Sequence, residues 1–204
     1  DHVILGSFNI VQKYRFGLNE LIHQLKNKFP ISIISGDNSA ESNYLQQVFG
    51  KSTDLLFHQK PEDKLAYVQH LQDTKNKNVL FIGDGLNDAG ALKQSNVGIT
   101  ITENANNFTP ACDGILDASK FSNLYSFILF SKAGKKIILA SFVLSILYNV
   151  IGLYFAVQGT LSPLIAAVLM PCSSISIILI TYGLSELASK KLDLDKHDKS
   201  HIPL

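Results

Sequence analysis

Apolar residues fall along this chain in two different rhythms. Up to about residue 120, short apolar runs bounded by Gly, Asp or Pro alternate with segments whose apolar residues recur every three or four positions. The short runs predict buried strands at residues 3–8, 31–34, about 55–57, 79–82, 97–101 and about 114–116. Between them, residues 17–28 carry Leu18, Leu21, Ile22 and Leu25 at helical spacing, and Pro30 stops that helix. Asn38 or Ser39 is placed to cap a helix over 40–48, Pro61 to open one running to Gln72, and a short helix follows over 89–94. Strands alternating with helices predict an α/β fold on a mainly parallel sheet.

After Phe121 the apolar residues no longer alternate with anything. Residues 137–157 form a run of twenty-one without a charge, which as a helix would be roughly 30 Å long, the thickness of a bilayer core. A second uncharged run covers 159–185, and the turn at Gln158-Gly159-Thr160 makes the two spans a hairpin. Lys132, Lys135 and Lys136 precede the first span, while Lys190, Lys191 and Lys196 follow the second. That places both ends in the cytoplasm by the positive-inside rule. The expected organisation is an α/β domain over 1–120, an amphipathic connecting helix over 121–136, two transmembrane helices within 137–185 (about 137–157 and 161–183) and a polar cytosolic tail over 186–204.

Composition sharpens this division and removes some function classes. With 46% hydrophobic and 17% charged residues and a net charge of +1, the chain lacks the basic surplus that nucleic acid binding requires. Its two cysteines, Cys112 and Cys172, lie in dissimilar surroundings and suggest no disulfide framework, as fits a reducing cytosol. The chain starts at Asp1, its only methionine is Met170, and it enters a strand-like run at once. The expectation is a C-terminal piece of a longer polypeptide.

The strongest chemical signal is Gly83-Asp84-Gly85-Leu86-Asn87-Asp88, placed after the apolar run 79–82 and before a helix. Two glycines permit a sharp turn and close approach of a ligand to the backbone. Asp84 and Asp88 supply the hard oxygens that Mg²⁺ prefers, and a Mg²⁺ there would neutralise charge on a phosphoryl group. The plainer reading makes the same residues a turn and an N-cap. Ser35-Gly36-Asp37-Asn38 ends an earlier strand, and ligands of open α/β sheets bind beyond the carboxyl ends of strands. Lys64, one turn into the helix from Pro61, is placed to reach the same point; taken alone it would read as a solvated lysine.

The ordered series Ser35-Gly36-Asp37-Asn38, Pro61-Glu62-Asp63-Lys64 and Gly83 to Asp88 resembles the second half of the phosphorylation domain of P-type ATPases, a branch of the haloacid-dehalogenase-like fold. Tyr148-Asn149 in the first span and Met170-Pro171-Cys172-Ser173-Ser174 in the second resemble the last two membrane helices of the copper-type heavy-metal members. The resemblance implies Mg²⁺ at Asp84 and Asp88, catalytic roles for Ser35, Asp37, Lys64 and Asn87, and a Cu(I) path through Tyr148, Asn149, Met170, Ser173 and Ser174. It also implies ATP as the phosphoryl donor, the lipid bilayer as surroundings, a copper chaperone as partner and a bacterial plasma membrane as location. A thioether selects soft Cu(I), and neither span offers the charged donor a Zn²⁺ site would want. Met170 shares a helix face with Ser173 and Ser174, whereas Cys172 lies about 200° round from it. Asn9, Ser35 and Gly90 stand where many members have an acidic residue, Thr and Pro.

The family's phosphorylated aspartate, nucleotide domain, actuator loop and Cys-Pro-Cys helix have no counterpart in this sequence, so the chain alone is expected to be inactive. Asp193-Leu194-Asp195-Lys196 superficially resembles a phosphatase motif but follows the hairpin in a polar tail, where it reads as solvated charge. Two other functions fit the same residues: a membrane-anchored phosphatase of this fold, or a truncated metal-binding module without catalysis.

Overall fold

The computed structural model describes residues 14–85, 87–103, 111–192 and 194. The strand expected over 3–8, Asn9 and most of the polar tail lie outside these residues. The chain divides into two compact units, residues 1–122 and 123–204.

The first unit contains α1 (Leu18–Leu25), β1 (Ser32–Ile34), α2 (Ser42–Phe49), β2 (Asp54–Leu56), α3 (Pro61–Asp73), β3 (Leu80–Gly83), α4 (Ala89–Gln94), β4 (Val97–Thr102) and β5 (Gly114–Asp117). Every strand pairing is parallel: β1 with β2, and β3, β4 and β5 in that order. Among the described residues β1 and β3 are each paired on one side only. Local chemistry sets the boundaries. The Asn38 side chain accepts a hydrogen bond from the Ala40 amide, but the turn it opens, Ser39–Glu41, is 3-10 rather than α-helical before α2 begins. At α3, Pro61 occupies the first turn and the Asp63 carboxylate accepts from the Lys60 amide at 2.9 Å, which fixes the helix start three residues before Lys64.

The core of this unit gathers beneath α1, α3 and α4, where Leu21, Ile22, Val68, Ala91 and Leu92 are buried. Glycine in β4 makes the closest approach possible: a Cβ at Gly98 would lie 2.4 Å from the Leu92 carbonyl oxygen. The α4 helix therefore rests directly on one face of β4. The opposite face, which carries Val97, is partly open.

The second unit is a hairpin of two long helices, α5 (Leu124–Val157) and α6 (Pro163–Lys191). The expected connecting helix over 121–136 and span over 137–157 fall within one continuous helix from Leu124, after a 3-10 turn at Ala118–Asn123. The three lysines Lys132, Lys135 and Lys136 do not break it, because charge on a solvated turn is compatible with helix whereas proline is not. With 34 residues α5 is roughly 50 Å long, more than a bilayer core. Both helices are long and apolar enough to cross a membrane. Pro171 lies inside α6 without ending it, although it cannot donate to the Ala167 carbonyl one turn back.

Candidate functional site

The described loop between β3 and α4 presents Asp84 and Asn87 to solvent and buries Asp88. Gly85 takes a left-handed conformation (φ 93°), which a residue with a Cβ would adopt only under strain. Asp88 stands at the N-cap of α4, yet its carboxylate makes no capping bond. Instead Lys64 Nζ donates to Asp88 Oδ1 at 2.6 Å, with 12% and 10% of the two side chains exposed. The capping reading of this aspartate is thus replaced by an ion pair between α3 and α4. Gly83 sits directly beneath: a Cβ there would lie 2.3 Å from Asp88 Oδ2. The carboxylate consequently fills the space that a side chain at Gly83 would need.

On the other sheet, Ser35 and Asp37 follow β1. The Asp37 amide donates to Ser35 Oγ at 3.1 Å, and the Ser35 hydroxyl lies 3.3 Å from Asp37 Oδ2. The Gln59 amide donates to the Ser35 carbonyl and the His58 amide to that of Asp37, both at 2.9 Å. These bonds fasten the loop after β1 to the segment leading into α3. Tyr67 Oη, farther along α3, lies 3.1 Å from Ser32 Oγ and 3.2 Å from Asp54 Oδ2, tying the helix to the starts of β1 and β2. Burial, opposed by the Ser32 hydrogen bond and reinforced by Asp54, raises the Tyr67 phenol above its ordinary value. Burial and the nearby Glu41 do the same for Tyr14, whose ring stacks on Tyr44 with centroids 4.9 Å apart.

Two carboxylates on one loop are a donor set that Mg²⁺ accepts, because it keeps several waters and takes its other oxygens from phosphate. No group of three or more His, Cys, Asp or Glu side chains suited to a metal occurs among the described residues, so a cage built wholly of protein ligands is not offered there. Asp88 Oδ1 is already occupied by Lys64, so a cation and that ammonium would compete for the same carboxylate.

Within the hairpin, Ser141 Oγ and Thr181 Oγ1 lie 2.7 Å apart, both half-buried on the seam between α5 and α6. The Ser141 hydroxyl is also 3.0 Å from the Ile137 carbonyl. In an antiparallel pair this bond sets the register. Asn149 and Ser173 each stand eight residues beyond it, at roughly 12 Å along the axis, and so share one depth. Of the five residues expected to line an ion path, Tyr148 and Ser173 are half-buried while Asn149, Met170 and Ser174 are exposed, Met170 by 75%. Ser173 and Ser174 turn their hydroxyls back to the Met170 carbonyl at 2.7 and 3.4 Å, and the Asn149 amide donates to the Ser145 carbonyl at 3.0 Å. Cys172 is exposed and unbridged.

Sequence reasoning missed the Ser141–Thr181 bond and the buried Thr100. The only sign of either was a hydroxyl residue inside an apolar segment, and such residues more often serve packing.

The haloacid dehalogenase-like hydrolase family matches residues 4–96. The probable copper-importing P-type ATPase A of Enterococcus hirae is 31% identical over 189 residues, covering 92% of this chain and 26% of its own length. The copper-transporting ATPase of Helicobacter pylori is 30% identical over 184 residues, covering 86% of this chain and 24% of its own. Over most of its length the chain is similar to copper-transporting P-type ATPases. It spans about a quarter of the length of these relatives. A crystal structure of a zinc-transporting PIB-type ATPase in the E2.Pi state superposes with a TM-score of 0.69 at 20% identity, over 85% of this chain and 28% of that one. At that identity the likeness establishes the fold, an α/β domain followed by long apolar helices. Among the described residues, α5 and α6 are the two helices long and apolar enough to cross a membrane.

Proposed function

We propose that this segment is the rear part of a pump that exports Cu(I) from the cytosol through an aspartyl-phosphate cycle, with ATP as phosphoryl donor. The buried Lys64–Asp88 pair carries the reading. A helix lysine normally lies in solvent, and here its ammonium is held inside the acidic loop at the carboxyl end of a parallel sheet. Mg²⁺ held by Asp84 and Asp88 would neutralise charge on the transferring phosphoryl group. Lys64 would turn its ammonium from Asp88 to a phosphoryl oxygen, Ser35 would donate its hydroxyl to another, and Asp37 would orient that hydroxyl. Asn87, exposed on the same loop, would meet the phosphate-bearing side. Among the described residues β1 and β3 each have one unpaired edge, which suits an additional strand; one carrying the acceptor aspartate would emerge between the two halves of the site.

For the ion, the sulfur of Met170 and the absence of Asp, Glu, Lys and His from both uncharged runs favour a soft monovalent metal. The relatives named as copper ATPases support the same choice. Asn149, Met170 and Ser174 face away from the seam, toward where further helices of a pump would complete the ligand set. The hairpin ends are cytosolic in this reading, and the expected chaperone would deliver copper from that side. Full-length protein in detergent with lipid should hydrolyse ATP faster with Cu(I) or Ag(I) than with Zn²⁺. Zn²⁺ as the better activator would overturn the copper assignment, and hydrolysis indifferent to every metal would point to the anchored phosphatase. Transport into inside-out vesicles tests the outward direction.

A further inference from the structure

Thr100 is the one described residue with a buried side-chain polar atom that finds no partner, and it is 1% exposed. An unsatisfied hydroxyl in a core weakens the fold, so packing alone gives no reason for threonine over valine at this place. Its surroundings give one. Thr100 lies directly opposite Gly83 in the parallel β3–β4 pairing. Partners across such a pair point to the same face, and neighbouring strands are about 4.8 Å apart. The direction a side chain takes at Gly83 leads to Asp88 Oδ2. Two residues back on the same face of β4, Gly98 lies against the Leu92 carbonyl, so α4 covers this face from its first turn to its last. Thr100 therefore sits under the first turn of α4, one strand from the point where the free oxygen of Asp88 rests.

We infer that Thr100 is a positioning residue for Asp88: its hydroxyl, unpartnered while Lys64 holds Oδ1, donates to Asp88 Oδ2 through one water or after a small rotation once Lys64 leaves, and so holds the carboxylate. In the pair seen here Lys64 fixes Asp88 from one side only. When the ammonium moves to phosphate, a carboxylate with no second tether would turn on its side-chain bonds. A donor beneath it keeps one oxygen down and the other facing the loop that holds Asp84. The inference rests on the reading of Asp88 as a Mg²⁺ ligand.

The test uses the full-length protein and Mg²⁺ alone, read by the rise in thermal midpoint as Mg²⁺ is added, with phosphoenzyme formation as a second measure. Thr100→Val should keep or raise the midpoint without Mg²⁺ and weaken the Mg²⁺ half-saturation by about tenfold, the loss expected for a hydrogen bond to a charged group. Thr100→Ser should restore it. Should the valine variant fail to fold, the Thr100→Ser and Thr100→Ala pair isolates the hydroxyl, because both lose the methyl and only one loses the oxygen. An unchanged half-saturation in the hydroxyl-free variants, or a midpoint loss with no change in Mg²⁺ response, overturns the inference. Asp88→Asn separates the two claims: if it leaves the Mg²⁺ response intact, the premise fails and the inference with it, whereas a lost response in Asp88→Asn beside an intact one in Thr100→Val condemns Thr100 alone.

Discussion

Lys64 and Asp88 have each given up hydration, and only the partner charge compensates for it. Lys64→Met should then destabilise the α/β domain by about 3 kcal/mol or more, because it leaves a buried carboxylate uncompensated. Adding Asp88→Asn should recover part of that loss, and additive losses in thermal unfolding would show that the pair is not coupled. Gly83→Ala should also destabilise, since the new methyl meets Asp88 Oδ2 at a distance no real contact allows. Tyr67 responds to pH. Its phenol is raised in the fold, so the stability it contributes is complete below the unfolded value of 10.0 and falls as pH rises through the folded value. The absorbance of tyrosinate should appear later in the wild type than in an unfolded control, and Tyr67→Phe should reduce that late component and leave the share of Tyr14. The acidic loop and a lysine able to reach its carboxylates were legible in sequence, but which carboxylate Lys64 takes was not. Whether an aspartate before a helix caps it or pairs with a distant lysine depends on a rotamer that only the packing of α3 on α4 decides.

At the scale of elements, the alternation of strand and helix was readable because buried parallel strands and amphipathic helices obey different periods. Boundaries were less so. The start of α2 became a 3-10 turn, and α5 runs as one helix through residue 136, since nothing between Leu124 and Val157 forbids helical backbone. The register of α5 against α6 could not be read at all: two apolar helices slide past one another without a periodic penalty until a polar pair pins them. Ser141 and Thr181 are that pair. Cysteines replacing both should oxidise to a disulfide in membranes faster than Ser141→Cys combined with Ile177→Cys, one turn away. Faster cross-linking of the second pair would show a different register, and Asn149 would no longer share a depth with Ser173.

Across the whole molecule, apolar surface is left without a partner in both units: Val97 on the open face of the sheet, and Met170 with many neighbours along the hairpin. Along the hairpin, apolar exposure on that scale is what lipid or further helices would cover. The 204 residues expressed alone should hydrolyse no ATP, and turnover by the purified segment would mean that a nucleophile within it has been overlooked. In the full-length protein Met170→Leu should keep the fold and lower copper-stimulated turnover, because a leucine matches the volume of the thioether and lacks its donor. The central claim is that the acidic loop around Asp88 and the sulfur-bearing hairpin belong to one cycle. Labelled ATP tests it in a single assay on the full-length protein. The account predicts a hydroxylamine-sensitive phosphoenzyme that forms only with Cu(I), is lost in Asp88→Asn and needs more Cu(I) in Met170→Leu. A phosphoenzyme that forms equally well without the metal, or none in the wild type, would contradict it.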